Sequence, residues 1–201
     1  LLAGTIDFRE FASFTLAWLV IAFVLLQAQR RRPRLAYLWG ARIVTGIAMA
    51  ALILGLLLGF NPLFTGDIVE AHYACYCGDG HFADWGGTLE AIRAYDLDAI
   101  APGRGDAVIG SKAVNGALDR TKDFVASTYK PVARVAARNG SLKEAWDACR
   151  AECDPKFKDY AIYEHCLPFN VARAYDEARG IDHPRIWTAE RDREMWAALQ
   201  G

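Results

Sequence analysis

Two places in this chain combine residue types and spacing that could do chemistry. Leu63 to Gly105 reads LFTGDIVEAHYACYCGDGHFADWGGTLEAIRAYDLDAIAPGRG. A first apolar run closes on Gly66-Asp67 and a second closes on Pro102-Gly103-Arg104-Gly105, with a helical pattern from Asp84 to Tyr95 between them. In an α/β layer, strands joined by a helix present their ends at one edge, so Asp67 and the Pro102–Gly105 turn are expected on neighbouring strand ends. An aspartate there can also simply turn the chain. Arg104 stays protonated and has no lone pair for a metal. Its planar fork suits an anionic group, or Asp67 itself.

The chain has four histidines, His72, His81, His165 and His183, and five cysteines, Cys75, Cys77, Cys149, Cys153 and Cys166. No two histidines stand at His-x-His spacing. A lone histidine is more often a hydrogen-bonded structural residue than a ligand. Cys75 and Cys77 are too close for a CxxC redox pair or a zinc knuckle. Cys149 and Cys153 fall on one helical face, where metal binding and simple packing both remain open. In an oxidising compartment a disulfide such as Cys149 to Cys166 becomes possible, and sequence does not assign it. There is no Ser-His-Asp signature, phosphate loop or dinucleotide fingerprint.

Phe64-Thr65-Gly66-Asp67, Trp85 with Thr88-Leu89, and Pro102-Gly103-Arg104-Gly105 together resemble the C-terminal half of a metallo-β-lactamase-fold hydrolase. Tyr163-Glu164-His165, Asn170 to Glu177 and Pro184-Arg185-Ile186-Trp187-Thr188 resemble one branch of that superfamily, so the resemblance covers Leu63 to about Gln200. It implies the second half of an αββα fold, zinc as cofactor, and Asp67 as the metal-bridging aspartate. Arg104 stands where the family usually has histidine, and His165 would take over that lost ligand role. The implied reaction is zinc-hydroxide hydrolysis of an ester, thioester or lactam-type bond.

The departure from the family is as informative as the match. The family's principal ligands form a His-x-His-x-Asp-His run before the bridging aspartate, and no histidine precedes Asp67 here. A lone chain is therefore expected to be catalytically incomplete, with a second chain or a homo-oligomer needed to complete the fold. The alternatives are a non-catalytic membrane interaction module, in which Asp67 and Arg104 form a structural ion pair, and a truncated or fused gene product.

In place of the missing loop stand residues 1–62, which read as a two-helix transmembrane hairpin. Phe11 to Gln29 and Ile43 to Phe60 carry no charge. Each approaches the roughly 20 apolar residues needed to span a bilayer core. Arg30-Arg31-Arg32-Pro33-Arg34 separates them, with Tyr37 and Trp39 at interfacial positions. A signal peptide would carry its basic residues before the apolar run. By the positive-inside bias the arginine loop is cytoplasmic, which places residues 63–201 on the extracytoplasmic side. Gly55 and Gly59 have the small-xxx-small spacing of packed membrane helices. The formal charge of −1 gives no signal for nucleic acid.

The elements that must position Asp67, Arg104 and His165 follow from periodicity. Strands are expected over Leu63 to Val69 and Leu97 to Ala101, with a loop over His72 to His81. Helices are expected over Asp84 to Tyr95 and Ser111 to Arg138, the latter kinked or split at Pro131. Ser141-Leu142-Lys143-Glu144 is a capping box opening a helix through Ala151. Phe169 to Arg179, stopped at Gly180, and Thr188 to Leu199 complete a helix-rich tail.

Overall fold

The computed structural model describes Ile21, residues 35–57 and residues 59–200. The chain divides into two compact units, Leu1–Phe60 and Asn61–Gly201.

In the first unit, helix α1 spans Leu35–Leu57. It begins well before the charge-free run and includes Tyr37 and Trp39. Ile43, Ile47, Met49, Ile53 and Leu54 are exposed along it. Among the described residues, no helix is long and apolar enough to cross a membrane. Beyond its last charge at Arg42, α1 rises only about 22 Å at 1.5 Å per residue, short of a bilayer core of ~30 Å. The other expected span, Phe11 to Gln29, lies outside the described residues apart from Ile21.

The second unit is a mostly helical α/β structure. Its elements are β1 Pro62–Gly66, α2 Phe82–Arg93, β2 Ala99–Pro102, β3 Val108–Ile109, α3 Ser111–Ala137, α4 Leu142–Phe157, α5 Tyr163–Ala178 and α6 Ala189–Gln200. The three strands form one mixed sheet in the order β1-β2-β3, with β1 and β2 parallel and β2 and β3 antiparallel. β2 pairs Ala99 with Pro62 and Pro102 with Gly66, which brings the two strand ends side by side as expected. The short strand β3 has too few residues to show a period, and sequence alone does not reveal it.

Helix α3 joins the two main cores. Its apolar stripe (Val114, Leu118, Val125, Val132, Val135) recurs every three to seven residues and stays on one face. The N-terminal half packs with Leu89, Ile92 and Ile100 of α2 and β2, and the C-terminal half with Phe157, Tyr163, Leu167 and Val171 of α4 and α5. The sheet therefore has helices on one face, while Phe64 projects on the other with 74% of its surface exposed.

Prolines break helices less often here than their chemistry suggests. Pro131, Pro155 and Pro168 all sit inside helices. Pro131 is expected to kink or split α3, yet a single helix runs through it, with Pro131, Val132 and Val135 buried. α5 begins at Tyr163, not at Phe169, because Tyr163, Leu167, Val171 and Ala174 form a buried stripe across Pro168. A proline removes one backbone hydrogen bond, and burial of several large apolar side chains outweighs it. The capping box at Ser141 forms as expected, with Ser141 Oγ accepting from Glu144 N and Glu144 accepting from Ser141 N.

Candidate functional site

The two strand ends meet at Gly66 and Gly103. Gly66 takes a left-handed conformation (φ +52°) just past an irregularity in the β1–β2 register, and Gly103 N donates to Gly66 O at 3.0 Å. The approach is close enough that a Cβ on Gly103 would lie 2.5 Å from Asp67 Oδ1 and 3.1 Å from the Gly66 carbonyl carbon. Only glycine lets the turn pass the Asp67 carboxylate at this distance.

That approach places Arg104 between two carboxylates. Its Nη1 donates to Asp67 Oδ1 at 3.3 Å and to Glu70 Oε1 at 2.8 Å, and its backbone N donates to Glu70 Oε2 at 3.0 Å. The Asp67 side chain is half exposed and the Arg104 side chain about one-third exposed, whereas the Glu70 side chain is wholly buried. Sequence reading singles out Asp67 and Arg104, and the structure brings them together. Glu70 is the member it misses. The available signal is an acid between Val69 and Ala71 in an apolar stretch, since a buried carboxylate requires a cationic or hydrogen-bonding partner.

Burial pushes the Glu70 carboxyl up from about 4.5 to about 7, and Asp67 adds to the rise; Arg104 opposes it with its charge and its backbone N–H. For Arg104, burial works against the charge, but Asp67 and Glu70 outweigh it and hold the guanidinium more firmly protonated. Burial pushes the Cys75 thiol up to about 12, helped by the nearby Glu70 charge, and raises Cys166 as well. These thiols are held protonated and weakly nucleophilic. All five cysteines are free and buried in one core.

His165 is exposed on α5, with its ring centroid 5.9 Å from that of Phe169. Among the described residues no group of three His, Cys, Asp or Glu side chains is gathered to hold a metal. The donors at the strand ends do not fit the zinc centre that the resemblance implies. Two carboxylates are available, and the guanidinium between them already supplies the positive charge they need. His72 has a left-handed backbone (φ 62°) and packs edge-on to Tyr160. His81 and His183 lie together, with ring centroids 6.3 Å apart.

Two further polar side chains shape this region. The Trp85 indole N–H donates to Ile68 O at 3.0 Å, tying α2 to the segment after Asp67. Ile68, Gly80, His81, Asp84, Trp85 and Thr88 line an open cleft of about 300 Å³ beside it. Asn170, buried on α5, accepts from Cys77 N and donates to Cys75 O, fixing the loop beneath. Comparison of the chain with protein-family models and with curated protein sequences gives no match.

Proposed function

We propose that the chain is a membrane-anchored interaction module built on a metallo-β-lactamase-like half-fold, without hydrolytic activity of its own. The observation that carries this reading is Arg104 Nη1, 2.8 Å from Glu70 and 3.3 Å from Asp67. An ion-paired carboxylate cluster holds two strand ends together and has no need of a metal to balance its charge. The anchor is residues 1–62, supported by the charge-free runs Phe11 to Gln29 and Ile43 to Phe60 and by the exposed apolar side chains of α1. On this reading residues 63–201 face away from the cytoplasm, and the partner is a second chain or another copy of this one.

A second reading keeps hydrolase descent active: a partner chain supplies histidines, Arg104 turns aside, and Asp67 and His165 contribute to a zinc site acting on an ester, thioester or lactam-type bond. The half-exposed Asp67 carboxylate favours it, because a second chain could reach it. The purified full chain in detergent separates the two when assayed on chromogenic ester, thioester and lactam substrates with added zinc. No turnover, and an Asp67→Ala variant that folds with unchanged zinc uptake, is the expected result. Turnover abolished by Asp67→Ala overturns the first reading. Release of the full chain from membranes by carbonate would remove the anchor.

A further inference from the structure

Away from the strand ends, two of the four histidines converge on one carboxylate. His81 Nδ1 lies 4.0 Å from Asp182 Oδ1, and His183 Nε2 lies 3.9 Å from Asp182 Oδ2. Both distances are too long for hydrogen bonds, so each imidazole faces its own oxygen with a gap between. Zinc ligands sit about 2.0–2.2 Å from the metal, which puts the donors of one tetrahedral ion about 3.3 Å apart. The two His–Asp gaps exceed this by about 0.6–0.7 Å, and the imidazole rings, with centroids 6.3 Å apart, must also turn toward each other to share an ion.

The backbone segments that carry these residues are tied to one buried side chain. Arg173 is completely buried, and its guanidinium donates to Gly80 O at 2.7 Å, Ile181 O at 2.8 Å and Asp182 O at 2.6 Å. Glu177 pairs with Arg173 at 3.0 Å and accepts from Phe82 N and Ala83 N. One buried ion pair thus clamps the residues flanking His81 to those leading into Asp182 and His183. His81 is the N-cap of α2, but its side chain does no capping. Glu177 serves the first helical N–H groups instead, which leaves the imidazole available and offsets the positive helix end. The side chains of His183 and Asp182 are 90% and 80% exposed, so solvent rather than packing surrounds them.

We propose that His81, Asp182 and His183 form a surface site for a divalent transition metal of the zinc class. Two imidazoles and a carboxylate are the donor set such ions prefer, and three protein ligands leave a fourth position open to water or a partner's side chain. In the described arrangement the three donors are not gathered to hold an ion; the ion closes the site by turning two exposed side chains on a fixed backbone.

Titration of the full chain with Zn²⁺ against a chromophoric chelator, and with Co²⁺ read by visible absorption, tests this. One equivalent is expected to bind, with no thiolate charge-transfer band. His81→Gln and His183→Gln are each expected to weaken binding by at least about tenfold, on the scale by which even outer-shell partners matter. Both positions are at the surface, and unchanged thermal unfolding of the metal-free variants checks that they fold. Asp67→Asn is expected to bind as the unaltered chain does. Wild-type affinity in the histidine variants, loss of binding in Asp67→Asn, a thiolate band, or no uptake at micromolar metal each overturns the site.

Discussion

Arg104 grips Glu70 twice: its backbone N–H meets Oε2 at 3.0 Å and its guanidinium meets Oε1 at 2.8 Å. The carboxylate is wholly buried, so the pair is a structural tie between the segment after β1 and the turn after β2. Ordinarily an arginine this close depresses a carboxyl group. Here desolvation is the larger effect, and the group stays half-protonated near neutral pH.

That balance sets a pH dependence with a definite sign. In the unfolded chain Glu70 titrates near 4.5, and in the folded chain near 7. Between those values the folded state binds more protons, so this group's contribution to stability falls as pH rises through the window. Glu70→Gln keeps the neutral shape and removes the titration. The melting temperature of Glu70→Gln relative to the unaltered chain should therefore climb between about pH 5 and pH 7.5. A constant difference measured across that range by scanning calorimetry would refute the assignment.

The close passage of Gly103 over Asp67 makes a second expectation. A methyl group at 103 would meet the Asp67 carboxylate at 2.5 Å and Gly66 backbone at 3.1 Å. The side chain can rotate away, but the backbone cannot. Gly103→Ala should cost about 1–3 kcal/mol, the usual range for overpacking, read by urea unfolding. It should also separate Arg104 from Asp67 more than from Glu70.

Arg173 is the largest fully buried side chain of the described residues, and it is charged. Removing it strands Glu177 and leaves three carbonyls without their donor. Arg173→Met should destabilise by about 3–5 kcal/mol, as when one partner of a buried pair is lost. Arg173→Lys should rescue little, because a point charge cannot serve Gly80, Ile181 and Asp182 from one planar fork. Equilibrium urea unfolding of both variants measures the difference.

Ser141→Ala is a mild local control. It removes the hydroxyl that accepts from Glu144 N at the start of α4. The loss should be about 1 kcal/mol, a drop of a few degrees in melting temperature for a domain this size. The Arg104–Glu70 pair is far away in sequence, so the pH dependence described above should be unchanged.

The sequence by itself determined what depends on near neighbours. Apolar runs separated by a helical period pointed to Gly66 and Pro102 at neighbouring strand ends, where Asp67 and Arg104 meet. The Ser141–Glu144 box and the left-handed Gly180 after α5 follow from local backbone chemistry alone. Only the tertiary structure decided which polar residues are buried and with whom. Glu70 finds Arg104 across 34 residues, and Arg173 finds Gly80 across 93, distances over which no periodicity carries information. The helices that continue through Pro131 and Pro168 have the same origin. Local chemistry argues for a break there, and the apolar surface each helix buries against elements remote in sequence is worth more than the lost hydrogen bond.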